Sequence, residues 1–168
     1  MPLDSGSNEL FARDTDRAIW QRLGKQPLEV GANLIARTAV AALLFLEQLR
    51  QATSRSIPLA WSALERQPWS AIEVYPAATR IAHGMVDQGG CLEGTEALID
   101  CGQIEPYVLA CADAVDACLC ALAGADFLAG RAVAPDDLET ARIEGWIWAP
   151  DAIGRQSGST TSCQSIDG

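Results

Sequence analysis

Residues 71–78 read Ala-Ile-Glu-Val-Tyr-Pro-Ala-Ala, and the fold class turns on this stretch. Ala71 to Tyr75 alternates β-forming side chains and Pro76 stops the extended run, which predicts a strand ending in a proline turn. A short helix is expected from Ala77 to His83. Toward the N-terminus, residues 9–23 place Leu10, Phe11, Ile19, Trp20 and Leu23 at approximately helical spacing and end at Gly24, with Pro27 beyond. From Gly31 to Gln51, Ile35, Ala39, Ala42, Leu43, Leu46 and Leu49 follow the i, i+4, i+7 rule, and Leu34, Ala41, Leu44 and Phe45 widen the stripe. A helix apolar around so much of its circumference is expected to be central. Pro58 breaks the chain, and Trp61 to Arg66 predict a short helical turn. Toward the C-terminus, Gly84 to Gly94 reads as a loop. Pro106 suits the first position of a long helix reaching about Leu128, with Val108, Cys111, Ala112, Val115, Leu119, Leu122 and Ala123 on one face. Residues 145–149, Gly-Trp-Ile-Trp-Ala, predict a second strand stopped by Pro150. The expected architecture is α/β, mostly helical with few strands, as one domain over 1–150 and a flexible tail rich in Ser, Thr and Gly over 151–168.

Composition agrees with a single core: 168 residues, 49% apolar and 20% charged. Three Phe and two Tyr against five Trp and abundant alanine favour close-packed helices over an all-β sandwich. The formal net charge of −10 excludes a general nucleic-acid coat protein. That charge is uneven: residues 1–80 carry nine basic and eight acidic side chains, residues 81–168 three and fourteen. An anion-facing surface is therefore expected from the first half, where Arg forks suit phosphates and carboxylates; ordinary surface salt bridging is the alternative. Met1 to Asn8 lack the basic region and apolar run of a secretory signal, so a cytoplasmic location is expected. The most apolar run, Val40 to Leu46, is far short of a membrane span. Six cysteines without a C-x-x-C pair, and one histidine, offer no zinc set; the cysteines read as small buried apolar residues.

The candidates for chemistry are acidic. Asp113 and Asp116 stand three apart within the long predicted helix, well past its start, where aspartate is a poor helix former and like charges repel. On a helical wheel both reach the rim of the apolar face, beside the small Ala112, Ala114, Ala117 and Gly124. Carboxylates grouped in this way bind hard divalent ions such as Mg²⁺; the alternative is a solvated acidic edge. Glu73 is the only charge in the predicted strand and stands near its proline turn. Opposite the two aspartates it would complete a three-carboxylate cluster of the kind two-metal phosphoryl transfer needs; alternatively it faces outward. His83, alone in the chain, fits a general base or, more often, a structural role.

Several motifs in order resemble one family: Phe11-x-Arg13-x-Thr15-Asp16-Arg17; Gly24-Lys25-x-Pro27-Leu28-x-Val30; Glu73-Val74-Tyr75-Pro76-Ala77-Ala78; Asp113-Ala114-x-Asp116-Ala117 with a following Cys-Ala-Leu run; and Glu144-Gly145-Trp146-Ile147. The family is the uncharacterised bacterial and archaeal domain of unknown function four-two-nine, predicted to be RNase H-like nucleases. The resemblance spans about Pro2 to Pro150. It implies a three-layer α/β fold in which acidic residues of two central strands and the last helix bind Mg²⁺ or Mn²⁺ for phosphodiester cleavage. Asp113 and Asp116 would lie on that helix as catalytic metal ligands, with Glu73 on a neighbouring strand. Arg13, Asp16 and Arg17 would contact substrate or form a structural ion pair.

The sequence also departs from the family. Members begin with a strand bearing an aspartate and reach a further strand ending in an Asp-x-Pro-Leu type motif, whereas this chain starts at Met1-Pro2-Leu3. Where similar sequences have an acid after the PLxV segment, this one has Asn33. The expectation is an N-terminally truncated RNase H-like fold with a half-built metal site and an exposed sheet edge. Its expected partners are nucleic acid and, along that edge, a second copy or another protein, with no membrane. The rival expectation is a non-catalytic interaction or oligomerisation module on the same scaffold. A small-molecule hydrolase has little support, since no nucleophile triad assembles around one histidine.

Overall fold

The computed structural model describes residues 13–25, 27, 33–64, 68–88, 91–93 and 99–152. Phe11, the Leu28 and Val30 positions, and the predicted tail from 153 onward lie outside them. The first helix, α1 (Asp14–Leu23), begins where Asp16 accepts the Arg13 backbone N–H and ends where Gly24, at φ +69°, donates to the Trp20 carbonyl. The second, α2 (Asn33–Thr53), is the longest. The described residues among 54–75 form neither helix nor strand, steadied by Arg55 over the Trp69 ring at 5.1 Å and by an isolated bridge between Leu59 and Ala71, and the end of the expected turn over 61–66 lies outside the described residues. Pro76 opens α3 (Pro76–Ala82), and an antiparallel hairpin follows, β1 (Val86–Gln88) with β2 (Cys91–Glu93). A 3₁₀ turn (Gly102–Ile104) leads into α4 (Glu105–Leu109), then α5 (Ala112–Leu128) and α6 (Leu138–Glu144).

The α/β three-layer, RNase H-like expectation is overturned. Among the described residues the only sheet is that two-stranded hairpin, and the rest is helix, loop and isolated bridges. The physical reason lies in the two predicted strands. Pro76 and Pro150 cut them short, and Ala71–Tyr75 meets 145–149 through a single parallel bridge, Glu73 to Ile147. With one bridge there is no ladder to extend, and helices and tryptophans cover the paired segments instead. Three further expectations change. The loop over 84–94 contains the hairpin. The single helix from Pro106 is broken at Cys111, which is extended at φ −134° and ψ 113°. The supposedly central α2 is exposed: Val40, Leu43, Leu44 and Phe45 each keep more than half their surface in solvent.

Segment 146–149 is the packing centre, and its alternation explains why. Ile147 and Ala149 face Ile19, Leu23, Ala78 and Ala82 of α1 and α3. Trp146 and Trp148 face the other way, onto Ala60, Phe127 and Ala141, with Phe127 edge-on to Trp148 at 4.7 Å. The Trp146 indole N–H donates to the Val133 carbonyl at 3.0 Å. A third cluster, Met85, Val108, Val115, Leu119 and Leu122, joins α4 to α5. Cys101, Cys111, Cys118 and Cys120 are free and none is fully buried. The expectation that they fill the core is therefore corrected. No described helix is long and apolar enough to cross a membrane.

Candidate functional site

The start of α1, the 71–75 segment and the turn after α6 meet at Arg13. Its Nη1 lies 2.9 Å from Glu73 Oε1 and donates to the Glu144 carbonyl at 3.3 Å. Its Nη2 and Nε grip the two carboxylate oxygens of Asp16 at 3.1 and 3.3 Å. Burial opposes the charge on Arg13, yet the hydrogen bond to Asp16 and the charges of Glu73 and Asp16 outweigh it, so the guanidinium is held charged more firmly than usual. The backbone closes the same knot. Asp14 N–H donates to Glu144 Oε2 at 2.9 Å, Ile147 N–H to the buried Thr15 hydroxyl at 2.7 Å, and Trp148 N–H to the Glu73 carbonyl at 2.9 Å.

Gly145 is indispensable at this junction. It adopts φ +89°, and a Cβ there would stand 2.7 Å from Glu73 Oε2 and 3.1 Å from Arg13 Nη1. A cleft of about 50 Å³ opens beside it, lined by Leu59, Trp61, Ile72, Glu73, Gly145 and Trp148. Arg17 pairs with Asp14 and borders a wider depression that also holds Asp136 and Asp137, so its charge faces acid on several sides.

Asp113 and Asp116 lie on the neighbouring α5. The break at Cys111 corrects their setting: Asp113 occupies the first turn of α5, where a carboxylate complements the helix dipole, instead of sitting deep inside a longer helix. Both are exposed. Asp116 lies 3.8 Å from Arg80 of α3, and its charge, added to burial, pushes the Tyr75 phenol and the Cys120 thiol up. Asp116 therefore borders the end of the 71–75 segment. Among the described residues no three His, Cys, Asp or Glu side chains group closely enough to hold a metal ion. Asp113, Asp116 and Glu73 do not make a common cluster, and Glu73 is taken by Arg13. The two-ion centre that the resemblance implies is therefore not assembled among the described residues.

Sequence reasoning passed over the most buried charge in the described chain. Asp126 of α5 is fully buried, with Oδ2 2.7 Å from His83 Nε2 and Oδ1 2.8 Å from Arg131 Nη2. The lone histidine is thus a tie between the end of α3 and α5. A signal existed: Asp126 falls on the same helical face as Leu119, Leu122 and Ala123, where an acid needs partners. No family model matches this chain, and neither a curated protein nor a solved structure does.

Proposed function

We propose that the chain is a nuclease that hydrolyses phosphodiester bonds of nucleic acid, with Asp113 and Asp116 as its metal-binding carboxylates. One observation carries the reading. Motifs dispersed over more than a hundred residues, at 13–17, 73–78 and 144–147, converge on Arg13, and Asp116 borders the same segment through Arg80 and Tyr75. Packing alone does not require that convergence.

A Mg²⁺ or Mn²⁺ ion held by the aspartates would supply charge neutralisation at the phosphate and an activated water. The remaining roles belong to the protein. Arg80, beside Asp116, is placed to meet a phosphate oxygen. Arg13 holds Glu73 and Asp16 in fixed positions, so Glu73 supports the site without ligating. Arg17, at the rim, extends the substrate surface, and the whole reading assumes a cytoplasmic protein.

The test is cleavage of labelled single-stranded and duplex oligonucleotides in Mn²⁺. Wild type should cut, and Asp116→Asn and Asp113→Asn should each lose more than about a hundredfold in rate, beyond the effect of losing an outer-shell group. No cleavage by wild type, or undiminished cleavage by both variants, would overturn the reading.

A further inference from the structure

The exposed face of α2 is unexplained by the proposed chemistry. Arg37, Val40, Leu44, Glu47 and Gln51 follow one another at intervals of 3, 4, 3 and 4 residues, the seam of a two-stranded coiled coil. The seam is on the solvent side. Val40 is 56% and Leu44 60% exposed, Leu43 flanks it at 65%, Phe45 is 59% exposed on another side of the helix, and among the described residues no other element packs along the seam. The residues of α2 that are partly covered, Leu46, Leu49 and Thr53, lie on the opposite face. Helix propensity alone does not leave four large apolar side chains in water; such a patch marks an interaction surface.

We propose that α2 pairs antiparallel with α2 of a second copy of this chain. The seam is self-complementary about its middle. In an antiparallel pair centred at Ala42, Val40 meets Leu44 of the other copy, and Arg37 meets Glu47, twice over by symmetry. A parallel pair would set Arg37 against Arg37 and Glu47 against Glu47, so the charges select the antiparallel form. Glu47 is available for this role: within its own helix it holds only Arg50, at 3.8 Å, and a Gln51 amide. The rest of the chain also points to α2. At a net charge of −10 two copies repel, but residues 33–53 carry Arg37 and Arg50 against Glu47 alone, so this helix is where self-approach costs least. At about 31 Å the 21-residue helix is long enough for three layers of contact.

Sedimentation equilibrium of the full chain at about 0.15 M salt tests the pairing, because exposed charges are not yet fully screened there. Wild type should dimerise with a dissociation constant near or below about 10 µM, a strength that pairing of this size commonly reaches. Leu44→Glu should be monomeric with an unchanged helical circular dichroism spectrum. Arg37→Glu and Glu47→Arg should each weaken the dimer by about tenfold, since each turns two attractions into two repulsions, and the double variant should restore it. A wild-type monomer at about 100 µM and above, which would mean that some other occupant covers this face, overturns the proposal. A dimer indifferent to Leu44→Glu, or one the double variant fails to restore, overturns it as well.

Discussion

Asp116 and Asp126 stand on the same helix, and their surroundings are opposite. Asp126 has no solvent exposure and both oxygens are bound, by His83 and Arg131. Asp116 leaves 53% of its side chain in water and has Arg80 at 3.8 Å. The first is a buried carboxylate with a partner on each oxygen; the second stands mostly in solvent beside one arginine. One helix thus carries a buried, fully partnered acid and a solvent-facing one, set apart by the face each occupies.

That contrast can be broken most sharply at the buried end. Asp126→Ala should destabilise the protein by roughly 3 kcal/mol in denaturant unfolding, because it leaves the largely buried His83 ring without its partner and opens space in the core, while Arg131, 57% exposed, rehydrates. Asp116→Ala, on the exposed face, should stay within about 0.5 kcal/mol. Comparable losses at both positions would erase the distinction.

The junction at Arg13 gives the next effect. Gly145→Ala forces a Cβ to 2.7 Å from Glu73 Oε2 at a backbone φ of +89°, and should cost about 2 kcal/mol. Combining it with Glu73→Ala, which removes the carboxylate it strikes, should recover part of that loss. A smaller quantity is the Arg13–Glu73 coupling itself. A double-mutant cycle with Arg13→Met and Glu73→Gln should return about 1 kcal/mol, discounted because Glu73 is partly in solvent.

The smallest effect is a pH dependence. Asp137 caps α6, accepting the Glu139 and Thr140 N–H groups and the Thr140 hydroxyl, and those bonds hold its carboxyl below the usual range. Because the folded form is the more acidic, the cap contributes above the unfolded pKa and is lost as pH falls through the folded value. Asp137→Asn should therefore flatten the fall of stability below about pH 4, where free aspartate titrates, and leave neutral pH nearly unchanged. An unaltered acid limb would contradict the cap's role.

Much of the local structure was legible in the residues. Gly24 marked the end of α1, and the apolar spacing found α2 to within two residues at each end. The two segments around Glu73 and Ile147 were correctly seen as extended, yet alternation describes burial on two faces and not hydrogen bonding, so one bridge was mistaken for sheet. The break at Cys111 was invisible because no Gly or Pro marks it and the apolar stripe continues across it. That break moved Asp113 to a favourable first turn and removed the argument that its position was costly. Gly89-Gly90 between two short apolar runs and Asp137 three residues before Thr140 were signals for the hairpin and for α6 that composition alone obscured. Of the candidate site, the meeting of Arg13, Asp16 and Glu73 depends on tertiary contacts across 60 residues, which no periodicity encodes.

The central claim is that Asp113 and Asp116 are the carboxylates set aside for a metal ion. Manganese binding, followed by the loss of the free Mn²⁺ electron paramagnetic resonance signal, tests it without requiring a substrate. The account predicts one bound ion per chain in wild type and in Asp137→Asn, and none in Asp116→Asn at the same concentrations. Equal binding in wild type and Asp116→Asn, or no binding in either, would contradict it.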